Sequence, residues 1–252
     1  MVVAVTDSTQ VGLSVVDEER FGIRTARVAQ VTLSTLPDTL DFCQTNRVEF
    51  LIARCLTTEV SVAQAMEREG FVLMDVLVYY ARDLVRLPIP SHQGGVLVRP
   101  IQLGEEKQVK VVAEGAFRGY LSHYHADPRL ERAKCDETYV SWAVRSCVSR
   151  RVADQVLVAD EGGTILGFAT LRLNSPEESE GVLFGVSPAA QGRGVYRSFM
   201  IGAMEWTRTQ GRSRMLVSTQ ITNLAVQKVW TRVGFEPSHS YYTFHKWFDT
   251  EH

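Results

Sequence analysis

The apolar run Val182-Leu-Phe-Gly-Val186 passes through Ser-Pro-Ala-Ala-Gln191-Gly-Arg-Gly194-Val-Tyr196 into helical periodicity that lasts to about Gln210. A strand that turns through two glycines into a helix constrains the fold more than any other segment. It presents successive free backbone N–H groups at a helix N-terminus, where the helix dipole also favours negative charge. Gly192 and Gly194 carry no Cβ to hold a ligand away from the backbone, and Arg193 and Arg197 add charge-assisted donors. The chemistry expected is pyrophosphate binding without a P-loop lysine. A tight β-to-α turn with no ligand is the other reading of the same residues.

Around this segment the chain reads as mixed α/β. Leu-Pro-Ile-Pro-Ser-His-Gln-Gly-Gly at Leu87 to Gly95 interrupts any helix or central strand, which divides the chain into domains 1–92 and 93–252. Before it, a strand is expected at Phe50 to Ala53, a helix at Ser61 to Glu69 ended by Gly70, and a strand at Phe71 to Ala81. After it, Val96 to Pro100 opens a series with helices at Lys107 to Arg118 and Lys134 to Ser149. Strands follow at Gln155 to Asp160, Ile165 to Asn174 and Val182 to Val186. The last section has a helix at Gly194 to Gln210, a strand at Met215 to Thr219, a helix at Leu224 to Val233 and a strand at Ser240 to Trp247. An internal echo joins the halves at an offset of 164, where Val62, Arg68, Gly70 and Phe71 match Val226, Arg232, Gly234 and Phe235. Duplication and a chance recurrence of a glycine C-cap before a core aromatic both explain it.

A net charge of -2 offers no global attraction for nucleic acid or an anionic membrane, so neither is expected as a partner. Cys43, Cys55, Cys135 and Cys147 form no C-x-x-C and have no metal-spaced histidines beside them, so reduced thiols and no metal are expected. Met1 to Val5 lacks a basic n-region and no stretch reaches about 18 uninterrupted apolar residues, so the expectation is a cytoplasmic, soluble protein.

Gln191-x-x-Gly194 within Val-Ser-Pro-x-x-Gln-Gly-Arg-Gly-Val resembles the coenzyme A pyrophosphate loop of the Gcn5-related N-acetyltransferase (GNAT) superfamily. Tyr196 stands where that family usually has Gly or Ala. Downstream, Asn223-x-x-Val226-x-x-x-Trp230-x-x-x-Gly234-Phe235 resembles its closing helix and Gly-Phe strand entry. The resemblance implies a C-terminal GNAT domain, with a central mixed sheet flanked by helices, preceded by a smaller, truncated GNAT-like α/β domain. It also implies acetyl-CoA as acyl donor, held by Phe184, Val186, Gln191, Gly192, Arg193, Gly194, Val195, Tyr196 and Arg197, with Asn223 on the pantetheine arm. The backbone near Phe184 to Val186, where the strand splays from its neighbour in this family, would meet the oxyanion.

The family's usual proton donor to the departing thiolate is a tyrosine at the position of Trp230. An indole N–H can hydrogen-bond sulfur but does not surrender its proton near neutral pH. Tyr242, on the final strand, is the replacement candidate, with half-buried packing as its other reading. The run Gly181 to Val186 has no carboxylate where several relatives place a catalytic Glu, so a base must come from elsewhere. His125 has a suitable ordinary pKa, and a water chain would serve equally.

A narrower resemblance is to the enzymes that N-acetylate nucleotide-linked amino sugars, typified by TDP-fucosamine acetyltransferase. It rests on Glu19-Arg20-Phe21-Gly22-Ile23, on Ala116-Phe117, on Tyr120-Leu-Ser-His-Tyr-His-Ala-Asp-Pro-Arg129 and on Tyr139-x-x-Trp142. It implies an acceptor site drawing on Tyr120, His123, Tyr124, His125, Arg129, Tyr139 and Gln220, where aromatics stack on base or sugar and Arg129 meets phosphate. The expected reaction is direct attack of the acceptor amine on the thioester, without an acyl-enzyme, and a homodimer is among the assemblies allowed. Another small amine, a protein amine, or a coenzyme A-binding sensor without catalysis remain open.

Overall fold

In the computed structural model, which describes residues 10–92 and 96–248, the apolar periodicities become ten strands and eight α-helices. Met1 to Val5 and the Gly94-Gly95 end of the interdomain stretch lie outside the described residues. The chain is mixed α/β: β1 (Gly12–Leu13), α1 (Val15–Phe21), β2 (Thr25–Val28), α2 (Leu36–Thr45), β3 (Phe50–Leu56), α3 (Val60–Arg68) and β4 (Val72–Asp83) come first. Then follow β5 (Leu97–Pro100), α4 (Glu106–Ala116), α5 (His123–Ala126), α6 (Arg132–Val148), β6 (Gln155–Glu161), β7 (Thr164–Leu173) and β8 (Glu178–Val186). The chain closes with α7 (Val195–Thr209), β9 (Arg214–Gln220), α8 (Leu224–Arg232) and β10 (Glu236–Trp247).

These elements form two compact units, each assembled from separate stretches of chain. The first holds Met1–Val78, Leu121–Cys135 and His239–His252; the second holds Tyr79–Tyr120 and Asp136–Ser238. The division expected at 92/93 falls inside the second unit.

In the first unit the strand order is β1-β2-β3-β10. β2 runs parallel to β3, from Thr25↔Phe50 to Val28↔Ala53, and β10 antiparallel to it, from Tyr241↔Leu56 to Trp247↔Phe50. β3 reads Phe-Leu-Ile-Ala-Arg-Cys-Leu and is apolar on both faces, as a strand covered on both sides must be. One face packs with Val62, Ala63 and Met66 of α3, the other with Phe21, Tyr124 and Cys135.

In the second unit the order is β9-β8-β7-β6-β5. β6 and β7 form a hairpin whose turn is Gly162-Gly163, at φ 62° and 88°. A two-residue turn with positive φ at both positions matches strand twist, and glycine alone adopts it without strain. α7 carries Val195, Phe199, Met200, Ala203 and Met204 at helical spacing and buries them with Leu171, Met215, Trp230 and Phe235. On the other face, α4 and α6 bury Val109, Val112 and Ala143 against Val158, Phe168 and Leu183. Burying large apolar side chains at about 1.5 to 3 kcal/mol each makes these two faces the chief stabilisers of the unit.

Candidate active site

The candidate site lies in the second unit, where β8 leads to α7. β8 and β9 pair in parallel from Glu178↔Arg214 only to Gly181↔Val217. β8 runs on to Val186 and β9 to Gln220, and among the described residues these extensions are not paired with each other. The two strands therefore fork, and the backbone groups of Val182 to Val186 on that side are left to a third party. Unpaired backbone donors beside an acyl carbonyl are what oxyanion stabilisation requires.

At the mouth of the fork, a 3₁₀ turn at Pro188–Ala190 carries the chain into α7, whose N-cap is Gly194 at φ 81°. The first bond of the helix is Ser198 N–H to Gly194 O at 3.0 Å. The N–H groups of Val195, Tyr196 and Arg197 precede it and remain unpaired within the helix, as the first turn demands. Gln191, Gly192, Arg193 and Gly194 are exposed. Gln191 Nε2 donates to Val186 O at 3.5 Å, which ties the loop to the end of β8. Arg193 pairs with Glu161 on the β6–β7 hairpin, and Arg197 donates to Ser91 O at 3.3 Å. Both guanidinium groups lie within the unit, yet each already has an oxygen partner.

A bulge in β8 decides what faces what. Thr170 pairs with Leu183 and Leu171 with Gly181, so Val182 is an extra residue. Ser179 hydrogen-bonds Thr207 of α7 at 2.6 Å, and Phe184, of opposite parity, also meets α7 through Tyr196 and Phe199. The side chains change face at Val182. Glu180 consequently shares with Leu183 the face covered by α4 and α6, opposite Arg172 on β7.

Glu180 stands one residue before the last β8–β9 pair. Its carboxylate accepts from Arg172 at 3.2 Å and from Asn174 at 3.3 Å, and its side chain is 13% exposed. Burial raises its pKa above the ordinary Glu range, against the pull of Arg172 and the hydrogen bond from Asn174. A buried carboxylate whose proton affinity is raised is suited to general-base work. The sequence reading confined the strand to Val182–Val186 and so missed this group. The strand begins at Glu178, because Glu178 meets Arg214 at 3.3 Å and Glu180 meets Arg172.

On that face, Phe117 and Tyr139 stack at 5.0 Å, Tyr120 meets Tyr139 edge-on at 5.0 Å, and Phe117 lies 6.4 Å from Phe168. The Tyr120 hydroxyl donates to Gln220 Oε1 at the end of β9. Asn223, the N-cap of α8, turns its amide to Thr219 Oγ1 at 3.0 Å. Tyr120, Tyr139, Gln220 and Asn223 thus belong to the same unit as the loop. Trp230 is 2% exposed and donates its single N–H to the Tyr196 hydroxyl at 3.0 Å.

The other expected site residues lie in the first unit. His125 occupies a capping box, with Nδ1 accepting the Ser122 backbone N–H at 3.1 Å. That bond commits the lone pair of neutral imidazole and leaves the proton on Nε2. His123 Nδ1 meets His245 Nε2 at 2.8 Å, and His245 Nδ1 meets Asp127 Oδ2 at 2.8 Å, all of them buried. The carboxylate accepts the hydrogen bond from His245 Nδ1–H, which makes His123 Nδ1–H the donor to His245 Nε2. Burial lowers the pKa of both rings, that of His123 well below its ordinary value. Tyr124 donates to Asp17 Oδ1 at 2.8 Å and packs in the core, while Arg129 lies over the Trp247 ring at 4.2 Å. Tyr242 pairs with Cys55 and packs with Phe244.

Comparison with known proteins agrees with this geometry. A model of the Acetyltransferase (GNAT) family matches residues 118–235. The spore coat polysaccharide biosynthesis protein SpsD of Bacillus subtilis (strain 168) is 23% identical over 207 residues, 81% of this chain and 68% of that protein. A mycothiol acetyltransferase of Nocardia farcinica (strain IFM 10152) is 32% identical over 78 residues, 30% of this chain and only 26% of that protein. Among solved structures, a GCN5-related N-acetyltransferase from Sphaerobacter thermophilus superposes with a TM-score of 0.62 at 15% identity, covering 94% of this chain and 76% of that one. A tandem GNAT protein of the clavulanic acid biosynthesis pathway also gives 0.62 at 15% identity, over 91% and 77%. With fold, loop and family model in agreement, residues 118–235 carry a GNAT-family region and the chain is an acyl-CoA-dependent N-acetyltransferase.

Proposed function

We propose that the protein moves an acetyl group from acetyl-CoA to the amine of a nucleotide-linked amino sugar, by direct attack within a ternary complex. The observation that carries the reading is the β8–β9 fork beside the glycine loop, with Glu180 at its closed end. The pyrophosphate would sit on the N–H groups of Gly192 and of Gly194 to Arg197, since that of Arg193 already donates to Ala190 O. The pantetheine arm would enter the fork past Asn223, and the thioester oxygen would meet the unpaired backbone of Phe184 to Val186. Glu180 would take the proton of the attacking amine. Burial holds the Cys147 thiol up at about 12, far from the thiolate that an acyl-enzyme would need. The amino-sugar acceptor is supported by the aromatic group Phe117, Tyr120 and Tyr139 on the Glu180 face and by the polysaccharide role in the name of the Bacillus relative.

A mass-spectrometric screen of nucleotide-linked amino sugars, polyamines and peptide amines with acetyl-CoA tests the proposal. A mass gain of one acetyl group on such a sugar supports it. Turnover only of polyamines or protein amines rejects the acceptor class, and binding of acetyl-CoA without turnover of any amine identifies a sensor.

The loop assignment has its own test. A Cβ at Gly194 would meet nothing within 4 Å, so the strain of a side chain there comes from φ 81° alone. Gly194→Val is expected to shift the loop backbone and weaken acetyl-CoA binding at least tenfold, about 1.4 kcal/mol. Calorimetry measures the affinity, and an unchanged circular dichroism spectrum separates this loss from unfolding. Parent affinity in the variant would remove the loop from the phosphate site.

A further inference from the structure

Tyr196 lies in the first turn of α7 and Trp230 on α8. The Trp230 indole is a donor only, and it gives its proton to the Tyr196 Oη at 3.0 Å. The phenol is the acceptor in that bond, so its own proton is still to be placed, and among the described residues no acceptor takes it. The Tyr196 ring leans on Phe184 with centroids 5.5 Å apart, and Phe184 lies on the part of β8 beyond its last pair with β9. Trp230 is 2% exposed and is itself packed by Tyr80 at 5.3 Å, which holds the indole and through it the phenol. One hydroxyl donor is thus fixed beside the fork.

We propose that Tyr196 donates a hydrogen bond to the coenzyme A sulfur as the carbon–sulfur bond breaks, and that Trp230 is the positioning residue that orients its phenol. The inference rests on the acetyltransferase reading above. In the step, the amine nitrogen forms its bond to the acyl carbon and the carbon–sulfur electron pair goes to sulfur. The amine proton goes to Glu180, and the thiolate takes a proton from water after release. Burial raises the phenol above its ordinary pKa of 10, well above a thiol near 8.5. The phenol therefore stays protonated and stabilises the thiolate without giving up its proton.

The test uses free coenzyme A as probe and needs no acceptor. The thiol of the bound coenzyme is titrated by the ultraviolet absorption of its thiolate, in the parent, in Tyr196→Phe, in Trp230→Phe and in the double variant. The expected result is a bound thiol at least one pKa unit more acidic than the free one, and a rise of about one unit, tenfold in thiolate fraction, in Tyr196→Phe with affinity for the protonated coenzyme, measured well below the thiol pKa, unchanged. Trp230→Phe is expected to give a smaller rise, with no further change in the double variant. A residue that merely packs the fork would alter melting temperature and affinity but not the thiol. A Tyr196→Phe thiol that titrates as in the parent overturns the inference and leaves the acetyltransferase reading standing. Failure of the parent to bind coenzyme A overturns both.

Discussion

Glu180→Gln is expected to lower kcat by about 10² to 10⁴, the usual contribution of a positioned general base, with little change in acetyl-CoA affinity. The substitution preserves shape and the hydrogen bonds from Arg172 and Asn174 to the remaining carbonyl, so β8 keeps its register. The sign of the pH dependence follows from the shift. Only the ionised carboxylate accepts a proton, and burial raises the pH at which it ionises. In the parent, kcat/KM should rise with pH through a pKa above 4.5 and then level off, and this limb should be absent in the variant. Steady-state rates across pH with one fixed acceptor measure both. A variant that keeps the parent rate and the parent limb would move the base elsewhere.

The second large effect concerns stability. Asp17 is 1% exposed and receives hydrogen bonds from Arg27, Ser14 and Tyr124, with Arg20 also within 3.4 Å. Burial would raise its pKa, but the Arg27 charge and these hydrogen bonds outweigh burial and bring it to about 2. A carboxylate held below its unfolded value of 3.8 stabilises the native state by about 2 kcal/mol at neutral pH. That contribution is complete above about pH 4 and disappears as pH falls to about 2. Removing one partner of a buried pair costs about 3 to 5 kcal/mol, but Arg27 stays 40% exposed and can rehydrate. Asp17→Asn is therefore expected to cost about 2 to 3 kcal/mol in urea unfolding at pH 7. The gap between variant and parent should close toward pH 2, and a gap constant with pH would show that the carboxylate charge is not what holds this cluster.

The second half of the chain was legible because its elements follow their own periodicities. The helix expected at Gly194–Gln210 is α7 at Val195–Thr209, and the hairpin, β9 and α8 fall within a residue or two of expectation. Residues 10–49 carry weaker signals. β1 has two residues, α1 has only seven, and neither Ser14 nor Thr35 makes a side-chain capping hydrogen bond at the start of α1 or α2. Carboxylates at Glu178 and Glu180 disfavour a strand locally, and arginines on the neighbouring strands reverse that preference. The relation of Trp230 to Tyr196 was equally hidden. Each is a departure from the family pattern at its own position, whereas the hydrogen bond joins residues 34 apart.

The division of the first unit among three stretches bears on the order in which a growing chain can finish its parts. Residues emerge N-terminus first, and β3 is among the earliest. Its antiparallel partner β10 follows about 190 residues later and brings with it Phe244, whose side chain fills the core beside Cys55 and Met66. The second unit needs nothing beyond Ser238. A nascent chain of that length holds every residue of the later unit, while the earlier one still shows an open edge along β3. An unpaired apolar edge is where nascent chains join one another. The segment that carries β3 therefore waits through the synthesis of the whole second unit, and its sheet closes only with the arrival of β10.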